Sequence, residues 1–345
     1  MRAYRTVLIV ILLVTGMLPG KECVYSVLDG HSWHTTKSLP DYLCHIWRLV
    51  MPGGSAEATE SDRFSFGDNW LSFIEVVRDE RIEHATESLA AALGRTDLTG
   101  KTFLDVGCGS GLFSLAASRM GAKVHAFDYD PASVAACMEI RQRYAPDSDW
   151  TVEQGSVIDE AYIQSLGTYD IVYAWGVLHH TGAMWRAIEA ASALVAPEGS
   201  LYIAIYNDQG PISRLWWLVK RQYVHSGPVM RRMLLLGGRA YFSSRTAVGA
   251  LLRAGGLSQS RDQVRQRGMS ARHDLVDWIG GFPFEVAAPE AIFEFLRERG
   301  FELRFLRTCK GRLGCNEYVF AAPAVSQKPV SVTTMDPSSA CPDRI

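Results

Sequence analysis

Three glycines at alternate positions, Gly107, Gly109 and Gly111, follow the apolar run 102–106 and precede Leu112-Phe113-Ser114-Leu115-Ala116-Ala117. Glycine has no Cβ, so such a turn brings main chain close to a ligand and reaches positive φ. A helix start behind it offers unpaired N–H donors. The spacing is G-x-G-x-G rather than the dinucleotide fingerprint G-x-G-x-x-G. Asp128 comes 17 residues after Gly111. Its carboxylate can accept both hydrogen bonds of a ribose diol. Tyr129 beside it offers a ring to pack on a purine. Ser156 and Val157 are suited to the edge and face of an adenine. Further on, Trp175-Gly176 leads into Val177-Leu178 and the paired histidines His179 and His180.

Something must bring these scattered residues together, and the pattern between them says what. Strands are expected at 102–106, 123–127, 150–153, 169–174 and 201–206. Helices are expected at 111–120, 131–144 and 184–195, with Pro131 opening the second and Pro197 and Gly199 closing the third. Asp130 is placed to cap the helix at Pro131, which leaves Asp128 for a ligand. Alternating strands and helices imply an α/β fold, a doubly wound and mostly parallel sheet with helices on both faces. The strands are almost continuously apolar, as buried parallel strands are. In such a sheet ligands bind beyond the carboxyl ends of the strands. Asp105 and the glycine turn, Asp128-Tyr129, Ser156-Val157 and Trp175 through His180 all fall at such ends.

The flanking regions have a different character. In 64–93, Trp70, Phe73, Ile74, Val77, Ile82, Leu89 and Leu93 recur at helical spacing. Trp70 reads as a core anchor or as a cover over a cofactor. Residues 207–272 carry twelve Arg or Lys and two acids, broken by Leu215-Trp216-Trp217-Leu218-Val219 and Met233-Leu234-Leu235-Leu236. Two or three amphipathic helices are expected there, ending in the aromatic, glycine-containing turn 277–285. A helix over 289–299 and strands at 301–307 and 316–321 then complete the sheet as a seven-stranded one, an adjacent pair that can run antiparallel.

Composition sets the outer bounds. The chain has 345 residues, 48% hydrophobic and 21% charged, with a net charge of −2. This is globular, and not the globally basic balance of a nucleic-acid binder. The seven cysteines form no C-x-x-C pair and read as reduced thiols. Residues 1–50 hold Arg2, Arg5 and an apolar run over 6–18, read as a leader or anchor, or as sequence ahead of a start at Met51. The expected organisation is that segment, a helical cap at 51–100, the core at 101–206, a basic helical insertion at 207–285, core completion at 286–322 and a disordered tail at 323–345.

The glycine turn, the acid ending strand two and the stretch Tyr173-Ala174-Trp175-Gly176-Val177-Leu178-His179-His180 resemble the class I S-adenosylmethionine-dependent methyltransferases. They are most similar to the branch typified by the ubiquinone-pathway O-methyltransferases. His179 replaces the acid usual before the second histidine, and Ser156 stands where many members have an acid, with Asp159 the nearest substitute. The resemblance implies a Rossmann-like sheet and S-adenosylmethionine as cofactor. It implies methyl transfer to a small-molecule or lipid-like acceptor, at oxygen, with His180 or His179 as general base. It places Asp105, Gly107, Gly109, Gly111, Asp128, Tyr129, Ser156, Val157 and Trp175 at the cofactor. Asp105 is expected to orient the cationic amine through water. Trp70, Tyr206, His273, Asp277 and Phe282 are expected at the acceptor, under a lid formed by the insertion. No acidic cluster suggests a magnesium site, and no metal is expected. The basic, Trp-rich insertion suits a solvated lid, a peripheral contact with anionic membrane, or an RNA surface. RNA modification and a non-catalytic cofactor-binding scaffold are the competing readings. A cytoplasmic location follows from the cofactor.

Overall fold

The computed structural model describes Phe64, Gly67, Trp70, Ile74 and residues 77–254 and 271–324. The apolar run at 6–18, the start at Met51 and the tail from 325 lie outside the described residues. The chain divides into two compact units. One comprises the described residues from Gly67 to 210 and from 285 to 324. The other comprises Phe64 and the described residues of 211–254 and 271–284.

The first unit is built on a seven-stranded sheet in the order β3-β2-β1-β4-β5-β7-β6. Its strands are β1 (Thr102–Val106), β2 (Lys123–Asp128), β3 (Trp150–Gln154), β4 (Tyr169–Trp175), β5 (Val195–Tyr206), β6 (Glu302–Arg307) and β7 (Cys315–Ala321). β1 to β5 run parallel; β7 enters between β5 and β6 and runs antiparallel to both. The helices are α1 (Asp79–Leu93), α2 (Leu112–Arg119), α3 (Pro131–Tyr144), α4 (Glu160–Ser165), α5 (Met184–Ala193) and, after the insertion, α9 (Pro289–Arg297).

Alternation along each buried strand feeds two cores. Phe103, Tyr173 and Tyr202 face one core, with Ile82, Leu89, Leu115 and Ile140 of α1, α2 and α3. Leu104, Val172 and Leu201 face the other, with Ile188 of α5 and Ile292 and Leu296 of α9. Successive strand residues point to opposite faces, so a sheet covered on both sides needs apolar residues at nearly every position. Each fully buried Leu or Ile contributes about 1.5–3 kcal/mol. The strand order reverses between β1 and β4, which pair from Phe103↔Ile171 to Asp105↔Tyr173. That reversal is the switch point where the crossovers part and leave a crevice. At the opposite, amino-terminal end Asp170 accepts from Lys101 Nζ at 2.8 Å and from the Thr102 amide and hydroxyl. Burial alone would raise its pKa, but these donors hold it at about 2.

Three expectations need correction. The 64–93 region is not one helix: Gly67, Trp70 and Ile74 are helical, but Arg78 is extended and α1 begins at Asp79. Asp79 and Glu80 favour a new helix start through the dipole. β5 starts at Val195, six residues before the expected 201. Its register jumps from Tyr169↔Val195 to Ile171↔Ser200, so Pro197 and Gly199 form an irregularity inside a strand and not a loop. α4, six residues with none buried, has no apolar periodicity to announce it.

The second unit contains α6 (Pro211–Val224), α7 (Pro228–Ala254) and α8 (Ala271–Gly280). Trp216 is buried and packs on Trp278, Tyr241 and Phe242. Lys220, fully buried, donates to the Trp278 carbonyl, with its ammonium 4.7 Å from the Trp278 ring and 4.8 Å from that of Phe284. The apolar stripe read as amphipathic therefore has a core of its own.

Candidate functional site

The turn after β1 is shaped by three left-handed glycines, with φ of 69°, 53° and 77° at Gly107, Gly109 and Gly111. Two of them are also fixed by close packing. A Cβ on Gly107 would stand 2.4 Å from Val177, in the turn after β4. A Cβ on Gly111 would stand 2.6 Å from Cys137 Sγ of α3. The first contact sets the glycine turn against the β4 turn; the second lets α2 start hard against α3. Cys108, between the glycines, is buried, and its hydrogen bond to Cys137, with burial, pushes its thiol well up. It stays a neutral thiol, so the turn carries no thiolate nucleophile.

Two carboxyls meet at this turn. Asp105 is buried and accepts from Ser114 Oγ of α2 at 2.5 Å. Burial raises it to about 7, against the Ser114 hydrogen bonds and with help from the nearby Asp128 charge. Asp128, half-buried at the end of β2, accepts from Gly109 N at 3.0 Å and from Asp130 N at 2.9 Å. Burial raises it to about 6, opposed by those two amides. Each carboxylate oxygen keeps a second lone pair for a ligand. Asp130 caps α3 through Ala132 N, as expected, and its other oxygen takes Gly67 N at 2.9 Å.

The remaining cofactor candidates lie along the same edge of the sheet. Tyr129 is exposed, with its carbonyl bonded by Gln154. The Ser156 hydroxyl accepts from Ile158 N at 3.4 Å, and Val157 is buried. Trp175 packs partly buried against the α1–α3 core. Asp159, read as the nearest substitute for an acid at Ser156, caps α4 through one oxygen, which accepts from Ala161 N and Tyr162 N at 3.0 and 3.2 Å. Trp70 lies on the glycine turn, where a Cβ on Gly109 would be 3.0 Å from its indole.

After β4 the chain makes one 3₁₀ turn, Leu178–His180. His179 is fully buried and His180 half-buried. The Tyr206 ring, at the end of β5, stands 3.9 Å from the His179 ring and 5.4 Å from that of His180. Three of the five acceptor candidates fall in the second unit. Phe282 is buried there against Trp217. His273 and Asp277 lie on α8, their side chains outside the described residues. Among the described residues no group of three or more His, Cys, Asp or Glu could hold a metal, and no helix is long and apolar enough to cross a membrane.

Sequence reading missed Ser114, the partner of Asp105, although a serine inside the apolar run Leu112–Ala117 was a signal. It also missed Gly67, whose amide docks on Asp130, and Glu285, treated below.

A group with a ribose diol and a cationic amine fits this donor set. Asp128 offers free lone pairs at a strand end, and Asp105 is a buried carboxyl that a cation would bring back to its charged form.

The profile of the family described as "Methyltransferase domain" matches residues 76–257. The ubiquinone biosynthesis O-methyltransferase of Bordetella avium is 31% identical over 166 residues, 47% of this chain and 64% of that protein. The protein of the same name from Methylocella silvestris is 33% identical over 110 residues, 32% of this chain and 41% of that one. The matched part of the chain thus spans less than two thirds of either relative. Solved structures similar to it include magnesium protoporphyrin IX methyltransferase from Synechocystis PCC 6803 with bound SAM (TM-score 0.40, 13% identity, 70% of this chain and 79% of that one). Another is the N-methyltransferase NodS from Bradyrhizobium japonicum WM9 (TM-score 0.40, 15% identity, 72% of this chain and 99% of that one).

Proposed function

The chain belongs to the methyltransferase-domain family, and from that premise we propose that it transfers a methyl group from S-adenosylmethionine to an oxygen of a small, lipid-like acceptor. The single observation that carries the reading is the meeting at the switch point of the glycine turn, Asp105 and Asp128 with the histidine turn of β4. Asp128 would hold the ribose diol and Asp105 the cationic amine, with the glycine turn against the amino-acid end. When bound, the cofactor supplies an electrophilic methyl. The rest is orientation and removal of one proton from the acceptor, and orientation by itself is worth several kcal/mol.

Between the two histidines, exposure favours His180 as the base. His179 is sealed from solvent beneath Tyr206, whereas His180 retains an open side. Tyr206 then sets the angle of both rings. The lipid-like class of acceptor rests on the names of the relatives and on the surface of the second unit. On α7, Val229, Met233 and Leu236 are exposed at helical spacing beside the exposed Arg232 and Arg239. Apolar side chains flanked by arginines suit an anionic bilayer surface.

The test uses S-adenosylmethionine with a tritiated methyl and an organic extract of cell lipids as acceptor pool. Label in the organic phase, lost in His180→Ala while S-adenosylhomocysteine still binds, is the expected result. Label in bulk RNA instead, falling steeply with salt, would establish the RNA reading. Binding of S-adenosylhomocysteine without transfer to either would leave the scaffold.

A further inference from the structure

The N-terminus of α5 has no local cap. Its N-cap residue, Ala183, offers no side-chain acceptor, and the nearby Thr181 hydroxyl is engaged with the Leu178 carbonyl and the Ala183 amide. The first amides of a helix need partners. Met184 N finds its partner 101 residues away: both oxygens of Glu285 accept from it, at 3.2 and 3.0 Å. The amide of the same residue donates to the His179 carbonyl at 3.0 Å. One glutamate therefore holds both ends of the stretch 179–184, and His180 lies between the two ties. His180 N also donates to Val177 O, just ahead of the stretch, at 2.9 Å, so its backbone is held locally as well.

Glu285 is itself fixed to the neighbouring strand end. Two residues on, Ala287 N donates to Tyr206 O at 3.0 Å, and Asp208 N donates to Ala287 O at 3.1 Å. Asn207 and Ala287 form a parallel bridge. The segment 285–287 thus joins the carboxyl ends of β4 and β5, the two strand ends that carry His179, His180 and Tyr206. A carboxylate at a helix N-terminus is also favoured by the dipole.

We infer that Glu285 is a positioning residue for the methyl-transfer site, setting the histidine turn after β4 by capping α5 and holding the His179 carbonyl. The inference rests on the reading of His180 as the residue facing the acceptor. Glu285 takes no part in the chemistry; its acceptor oxygens and its backbone fix where the His180 ring sits.

The experiment uses the full chain labelled with ¹⁵N-histidine and bound to S-adenosylhomocysteine. Resonances are assigned with His179→Gln and His180→Gln. In Glu285→Ala the His180 imidazole signals are expected to shift and broaden, while S-adenosylhomocysteine affinity stays within about twofold, since the two carboxyls proposed to hold it, Asp105 and Asp128, lie on β1 and β2. Glu285→Gln keeps an oxygen for Met184 N and is expected to leave the signals in place. Unmoved His180 signals in Glu285→Ala overturn the inference, and so does Glu285→Gln disturbing them as much as Glu285→Ala. Should Glu285→Ala fail to fold, Glu285→Asp, one methylene short of Met184, is judged by the same signals. Signals that move as expected, with His180→Gln still transferring label to the lipid extract, would leave the positioning role standing and remove the base assignment.

Discussion

At the scale of single residues, Asp128 is the group proposed to take the ribose diol. Both its oxygens hold a backbone amide, so it is oriented before a ligand arrives. Asp128→Ala removes the acceptor for a diol and frees Gly109 N. Hydrogen bonds to a charged group are worth about 1.5–3 kcal/mol each. Affinity for S-adenosylhomocysteine, measured by calorimetry, is therefore expected to fall at least tenfold. His180→Ala should leave that affinity intact and lower transfer to the lipid extract by about 100-fold, the usual contribution of a positioned base. The positions of Asp105, Asp128 and His180 at or just past strand ends were legible, because apolar strand patterns precede each of them. Ser114 and Glu285 were not, because each acts on a partner that only the folded chain brings near.

Among the elements, the glycine turn and the caps decide where side chains point. Gly111→Ala would set a Cβ 2.6 Å from Cys137 Sγ at a φ of 77°. Left-handed strain costs about 1–3 kcal/mol and overpacking about as much again. A loss of about 2–6 kcal/mol in urea unfolding is expected, with S-adenosylhomocysteine binding weakened besides. Asp130→Ala removes the α3 cap and the tie to Gly67 together. About 1–2 kcal/mol is expected to go, read by the same measurement. The α3 cap was legible from Asp130-Pro131, a local signal. The α5 cap was not, since its carboxylate comes from beyond the insertion. β5 was misplaced at its start because Pro and Gly normally stop an element, and here an irregular pairing with β4 absorbs them.

For the molecule as a whole, buried carboxyls make stability depend on pH. Burial raises Asp105 to about 7 and Asp128 to about 6. An unfolded aspartate titrates near ~3.9. Between these values the native state holds more protons than the unfolded one, so stability falls as pH rises from about 4 to about 7. The slope is at most about 1.4 kcal/mol per pH unit for each group. Asp170, held at about 2, acts in the opposite sense, its contribution lost as pH falls from about 4 toward 2. Thermal melts across pH 4–8 should show the decline, and Asp105→Asn should flatten its upper part. A cationic ligand amine favours charged Asp105, so the rise in Tm given by S-adenosylmethionine should grow with pH over the same range. The second unit makes its own prediction. Vesicles rich in phosphatidylglycerol should bind the chain, and Met233→Glu with Leu236→Glu should abolish that binding without affecting S-adenosylhomocysteine. Equal binding by the double variant would remove the membrane reading.

By itself the sequence determined the layered α/β fold and the order of its strand ends, on which the resemblance that implies the cofactor rests. Each of these follows from patterns a few residues long: apolar runs, glycine spacing, an acid at a strand end. Tertiary structure decided the rest. It raised two aspartates by burying them, and it buried His179 fully but His180 only in part. It inserted β7 antiparallel between β5 and β6, and it brought Glu285 to a helix end 101 residues away. Burial, charge and long-range hydrogen bonds depend on which segments become neighbours, and that information is carried by no stretch of chain alone.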